Sequence, residues 1–279
     1  MRGANLSNDR ASLKMDNAKV AEADGIRADS KSTAIQRAFR IMSAIAAAEK
    51  PQQLAELAEQ IGVPKPSVHR LLSQLEEIGV VGRDLTGKGY SVGVTWLQLA
   101  VDALIVRARQ PIVRGIMRKL VDEIKETCNL AVLQDHEVLY LERVECDWPL
   151  RVQLRAGSRV PIHATASGKL LMAEMDANSR KKLLTGLNLQ KFTNNTIISG
   201  AQLESEFQSI RSAGIAINRE EFHLGLIGVA VPIRRSDRKV VAALSIHAPS
   251  FRMSVETALS YVTLLQETAK EIAIEMGMA

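Results

Sequence analysis

The stretch from residue 54 to residue 92 constrains this chain more than any other. Leu54, Leu57, Ala58 and Ile61 recur at helical spacing, Gly62 breaks the helix, and Val63-Pro64 forms a turn. A second helix starts at Lys65-Pro66, where proline is tolerated because first-turn N–H groups have no partner inside a helix. Its Val68, Leu71, Leu72 and Leu75 fall at i, i+3, i+4 and i+7 and share one face. Pro66, His69, Arg70 and Ser73 take the opposite face, flanked by Ser67 and Gln74. After Gly79 the pattern changes to short extended runs at 80–83 and 89–92, separated by turn formers at 84–88. Helix, tight turn, helix and hairpin in that order predict a winged helix-turn-helix.

The flanking sequence completes a two-domain plan, which 279 residues also favour. Residues 1–31 mix both charge signs without periodicity and read as a tail, with a short helical tendency near 14–22. Ser32 or Thr33 caps a helix carrying Ile35, Ala38, Phe39, Met42 and Ile45, which ends near Glu49 ahead of Pro51. An apolar run over 95–109, including Trp96, Leu97, Leu99, Leu104 and Ile105, predicts a linker helix closed by Pro111. A helix follows over 112–127. Strands are expected at 130–134, 138–144, 151–155, 215–219, 228–234 and 240–247, with helices at 166–175, 201–213 and 255–276. The fold class is α+β: a winged helix-turn-helix (32–94), a linker helix (95–110) and a C-terminal α/β domain (111–279).

A helix that enters the major groove needs small polar and basic side chains near its N-terminus. Lys65, Ser67, His69, Arg70 and Ser73 meet that need, with Arg70 suited to a bidentate guanine contact or a phosphate clamp. Arg83 and Lys88 on the hairpin are placed for neighbouring phosphates, and Arg37 and Arg40 are weaker candidates. Charge alone does not make this case. Residues 1–110 carry 15 Lys+Arg against 12 Asp+Glu, so the pattern, not a basic excess, points to double-stranded DNA.

Other classes find less support. Two cysteines, Cys128 and Cys146, and a polar, charged N-terminus predict a cytoplasmic chain with free thiols. No window approaches the roughly 18 apolar residues of a membrane span, so no membrane partner is expected. The histidines at 69, 136, 163, 223 and 247 are dispersed, so no metal, cofactor or nucleophile constellation assembles and no enzyme is expected. A winged helix used to bind protein instead of DNA is the alternative that pattern leaves open.

The stretch LAELAEQIGVPKPSVHRLLSQLEEIGVVGRD resembles the N-terminal domain of the isocitrate-lyase-regulator (IclR) family of bacterial transcription factors. The similarity continues through YSVGVTWLQLA, NLAVLQDHEVLYLERVE, RAGSRVPIHATASGKLLMA and NREEFHLGLIGVAVPIRRSDRKVVAALSIHAPSFRMS, covering roughly residues 33–275. The resemblance implies a winged helix-turn-helix homodimer or dimer of dimers, a GAF-like C-terminal domain that binds a small organic acid, and repression or activation, with repression favoured. Pro66-Ser67 stands where family members place Ser-Thr, which removes one hydroxyl from the DNA face.

Within HATASGK, a loop runs into a helix whose N-terminal amides suit a carboxylate. The resemblance assigns Ala166 and Ser167 as donors, Asn218 as a polar residue across the pocket, and Val152, Val160 and Leu226 as walls. Gly228 stands where a cysteine is common. The missing side chain predicts extra space and an effector bulkier than a two- or three-carbon acid, with aromatic acids in range. HATASGK is not a phosphate loop, because its first glycine position is His163 and Leu170 replaces the Ser/Thr.

Overall fold

The computed structural model describes residues 32–48, 50–84, 87–149 and 154–278. The expected tail, the helical tendency at 14–22 and the residues Glu49, Leu85, Thr86 and Val152 lie outside them. The chain divides into two compact units, with the division between Val101 and Asp102.

In the first unit, α1 (Ala34–Ala47), α2 (Leu54–Ile61) and α3 (Lys65–Glu77) pack around Ile41, Ile45, Leu57, Ile61, Val68, Leu72 and Tyr90. Thr33 starts α1 through a capping box: its Oγ1 accepts from the Gln36 amide at 3.2 Å, and Gln36 Oε1 accepts from the Thr33 amide at 2.8 Å. Gly62 ends α2 in the left-handed conformation, at φ 66°. The Arg40 guanidinium donates to the Ile61 carbonyl at 2.8 Å and so ties α1 to the same turn. Strands β2 (Val81–Arg83) and β3 (Gly89–Val92) form the wing, pairing Val81 with Val92 and Arg83 with Tyr90. A two-residue strand, β1 (Gln52–Gln53), adds to the other side of β3; it is too short for any periodicity to reveal.

Helix α4 (Val94–Ala108) spans the division between the units. The second unit holds α5 (Pro111–Ile124), β4 (Thr127–Gln134), β5 (Glu137–Val144), β6 (Arg159–Pro161), α6 (Ala166–Ala173), α7 (Ala177–Gly186) and α8 (Gly200–Ala213). It continues with β7 (Ala216–Arg219), β8 (Leu226–Arg234), β9 (Val240–Pro249), α9 (Val255–Ser260) and α10 (Val262–Glu275). The strands form one antiparallel sheet in the order β6-β5-β4-β9-β8-β7. Helices α5 and α10 pack together and against strands of the sheet, as does α6, which also packs on α8. Ala131, Tyr140, Ala230 and Ala243 face Leu170, Leu203 and Phe207 in the core beneath α6 and α8. Cover of this kind explains why β4, β5, β8 and β9 read as nearly continuous apolar runs.

Several expected boundaries move. Helix α5 stops at Ile124, because Lys125 turns left-handed at φ 59°, and Thr127 opens β4 instead of closing a helix. No strand holds Leu154 or Arg155; the strand there is β6, which pairs Val160 with Val138. Helix α7 is absent from the sequence expectation, since its NSRKK core is polar and it buries only Arg180 and Leu183. The single C-terminal helix is two, divided at Tyr261.

Candidate functional site

The outer face of α3 is the first site. Its initial turn holds no acidic side chain, and Lys65, His69, Arg70 and Ser73 are exposed while Ser67 is half-buried. The inward Val68, Leu71, Leu72 and Leu75 are all buried, so the core fixes which face points out. Ser73 donates its hydroxyl to the His69 carbonyl at 3.1 Å, which orients the oxygen along the helix.

The wing behaves differently from its sequence reading. Arg83 is exposed but engaged: its Nε lies 3.1 Å from Glu76 Oε1, its Nη1 donates to the Gly87 carbonyl at 3.1 Å, and its guanidinium stacks 4.0 Å above the Tyr90 ring. Arg83 therefore ties the hairpin to the end of α3. Arg37 is likewise turned onto Ser32, with Nη2 2.6 Å from its carbonyl. Lys88 is exposed at the hairpin, where its amide donates to Asp84 Oδ1 at 3.1 Å.

The second site is a cavity wholly inside the second unit. It brings together Ala166, Ser167, Asn218, Leu226 and Gly228, which sequence had scattered over 63 positions. Thr165 caps α6, its Oγ1 accepting from the Gly168 amide at 3.2 Å, and the first intrahelical bond is Lys169 N–H to the Thr165 carbonyl at 3.0 Å. The Ala166 and Ser167 amides precede that bond and have no partner inside the helix. Ser167 Oγ donates to Ser245 Oγ at 2.9 Å. The Asn218 side-chain oxygen accepts from the Glu221 amide at 2.8 Å. Amides, two hydroxyls and a helix N-terminus suit one carboxylate.

Gly168 makes this close packing possible. A Cβ there would lie 2.0 Å from the Ile162 carbonyl oxygen, so no larger residue lets α6 sit against that segment. One turn in, Lys169 is fully buried between Glu206 Oε1 at 2.9 Å and Glu221 Oε1 at 2.6 Å. Glu221 Oε1 also accepts from the Arg219 amide at 3.2 Å. The second oxygen, Glu221 Oε2, is buried without a hydrogen bond among the described residues. This ion cluster pins the segment carrying Phe222 and His223, whose rings lie 4.1 Å apart on the cavity wall.

Two sequence readings need correction. Val160 is not on the cavity wall; its side chain is 2% exposed and packs into the core with Tyr140, Ile162 and Leu170. Gly228 does not leave extra space, because a Cβ there would fall 2.9 Å from the Ile246 carbonyl oxygen. The glycine lets β8 and β9 approach, and the free core of the cavity is only about 30 Å³, room for about two waters. Substituting Gly228→Val should accordingly overpack the strand pair and lower stability by about 1–3 kcal/mol, read by chemical denaturation. An unchanged midpoint would mean that the strands part freely.

Sequence reasoning missed Tyr140, Leu154, Thr165, Phe222, His223, Ser245 and His247, all of which line the cavity. Alternation along β9 could have paired Ser245 with His247 on one face, but nothing in the sequence shows which face meets α6. His247 is half-buried and held by Asn129, with Nδ1 2.9 Å from Asn129 Nδ2. Burial, and then the charge of Arg143, push its pKa down to about 3. The Tyr140 phenol is pushed up to about 12 by burial and is neutral.

The His247 shift has a signed consequence. Between pH 3 and 6.5 the unfolded chain binds a proton that the folded one refuses. Stability is full above pH 6.5 and falls as pH drops, by up to about 1.4 kcal/mol per unit. Going from pH 7 to pH 5 should remove about 2 kcal/mol through His247, and His247→Gln should lack that component in urea titrations at both pH values. Equal losses in both proteins would rule it out.

Residues 34–85 match the family described as the IclR helix-turn-helix domain, and residues 102–274 match the bacterial transcriptional regulator IclR C-terminal family. The chain is 39% identical over 236 residues to the probable transcriptional regulator SauR of Cupriavidus necator, spanning 85% of this chain and 94% of that protein. It is 29% identical over 245 residues to the transcriptional repressor IclR of Escherichia coli, spanning 87% and 89%. Among solved structures, an IclR homolog complexed with 4-hydroxybenzoate from Microbacterium hydrocarbonoxydans superposes with a TM-score of 0.57 at 26% identity, covering 88% of this chain and 100% of that one.

Proposed function

We propose, from the premise that the chain belongs to the IclR family of bacterial transcriptional regulators, that it is a cytoplasmic repressor of a catabolic operon, released or engaged by a small organic acid. The observation that carries the reading is the exposed polar and basic face of α3 on a fixed hydrophobic core. In this reading residues 32–94 are the DNA-binding head, 95–110 the linker and 111–279 the effector domain. Lys65, Ser67, His69, Arg70 and Ser73 meet the major groove, with Lys88 at a flanking phosphate. Arg83 serves chiefly to hold the wing.

The acid sits at the α6 N-terminus, its carboxylate on the Ala166 and Ser167 amides, with Asn218, Leu226 and Gly228 around it. Aromatic acids belong to the class considered, since Tyr140 and Phe222 stand on the wall and one similar protein is solved with 4-hydroxybenzoate. A ring needs more room than the free core offers, so side chains of the wall have to shift for an aromatic acid to enter. Two heads reading a two-fold site require a homodimer or a dimer of dimers. Ile35 and Phe39, one turn apart on α1 and 81% and 67% exposed, support such an association.

The test is a footprint of the full chain on the DNA upstream of its own gene. Protection of a defined two-fold site supports the reading. A folded protein that protects nothing at low salt points instead to a winged helix that binds protein.

A further inference from the structure

We propose that Tyr140 is an effector-contact residue: its phenol donates to a hydroxyl or carbonyl oxygen beside the acid's carboxylate, and so selects oxygenated acids over their plain parents. The inference rests on reading the cavity as the effector site.

The polar side chains of the wall are accounted for one by one. Thr165 donates to the Pro161 carbonyl at 2.8 Å, and Ser167 and Ser245 share a bond of 2.9 Å. Asn218 is bonded to the Glu221 amide and His247 to Asn129, while His223 is exposed. Tyr140 differs from all of these. It is only 6% exposed, yet its phenol oxygen has no hydrogen bond among the described residues. A buried tyrosine hydroxyl ordinarily finds a partner, because an unbonded one forfeits the hydrogen bonds it made to water. Nor is the oxygen sealed off. Glu221 Oε2 is the enclosed side-chain oxygen without a bond among the described residues, so the Tyr140 oxygen, on the cavity wall, stays open to what enters.

Its neighbours fix the ring and the proton. The ring packs into the core with Val138, Val160, Ile162 and Leu170, whose side chains offer no acceptor. Burial pushes the phenol up to about 12, so it keeps its proton and serves as a donor. Position then separates it from the carboxylate end. Ala131 of β4 pairs with Tyr140 on one side and with Ala243 on the other, and Ser245 is two residues beyond Ala243. Tyr140 therefore stands two strands, about 9.6 Å, across the sheet from the strand that carries Ser245. An acid anchored on the α6 amides beside Ser245 meets the phenol with another of its atoms. An oxygen there gains a hydrogen bond that a methylene or a ring hydrogen does not.

Calorimetry on the full chain tests this with propionate against lactate and 3-hydroxypropionate, and with benzoate against 4-hydroxybenzoate. At least one oxygenated acid should bind roughly 3- to 10-fold more tightly than its parent. Tyr140→Phe should bring that ratio to near one and leave the parent's affinity unchanged. The same variant should unfold at an equal or higher denaturant midpoint, since it takes an unbonded polar group out of apolar surroundings. A preference that survives Tyr140→Phe overturns the proposal, as does the absence of any preference in the wild-type chain. Equal weakening of parent and oxygenated acid also overturns it, because the phenol would then hold the carboxylate. Binding of none of the five acids defeats the organic-acid reading itself and the inference with it.

Discussion

Replacing Lys169 with Met should destabilise the second unit by about 3–5 kcal/mol, the cost expected when one partner of a buried ion pair is removed. Lys169 lies within 2.9 Å of two carboxylates, Glu206 and Glu221, and is itself inaccessible to solvent. Without the ammonium, the buried Glu221 carboxyl is left with the Arg219 amide on one oxygen and, among the described residues, no hydrogen bond on the other. For a unit of this size the loss corresponds to a fall in Tm of roughly 6–20 °C. Glu221→Gln in the same background should recover part of it, because the orphaned charge goes with it. Denaturation of the single and double variants measures this, and additive losses would show that the cluster is not coupled. The cavity should suffer as well, since Glu221 leads directly into Phe222 and His223.

Arg70→Ala should weaken binding to the protein's own site by about 1–3 kcal/mol, or roughly 5- to 150-fold, if the guanidinium reads a base. The expectation follows from position alone. Arg70 is exposed on α3, away from the Val68–Leu71–Leu72 stripe, and the first turn of α3 has no acidic side chain to neutralise it. A weakening that is uniform across sequences and lowers the salt slope by about one would make it a phosphate contact instead. Unchanged affinity in a fluorescence anisotropy titration would remove it from the interface. Lys88→Ala on the wing should show the uniform pattern.

The division between legible and illegible follows physical lines. Helices α1 to α3 were readable because each buries one stripe and is bounded by a strong signal: a Ser32 or Thr33 cap, Pro51, Gly62 or Gly79. Strands β4, β5, β8 and β9 were readable as apolar runs. By contrast β1 is two residues long and α7 is mostly solvated, so neither leaves a periodic trace. For the cavity, the donor end was legible because HATASGK combines a cap, a hydroxyl and a glycine that permits close packing. The opposite end was not. Tyr140 lies on β5 and Ser245 and His247 on β9, and only the pairing of both strands with β4 brings them to one cavity. Gly228 was misread for the same reason: an absent side chain looks like space until the neighbouring strand is placed.

Coupling between the two sites is the central claim, and linkage gives it a sharp form. If an acid changes affinity for the operator by some factor, the operator must change affinity for the acid by the same factor. The decisive measurement is therefore paired: operator binding with and without the tightest-binding acid of a panel of small aliphatic and aromatic acids, and binding of that acid with and without operator. The account predicts equal factors in the range of about 5 to 150. Operator affinity that stays the same at a saturating concentration of an acid that demonstrably binds would contradict it.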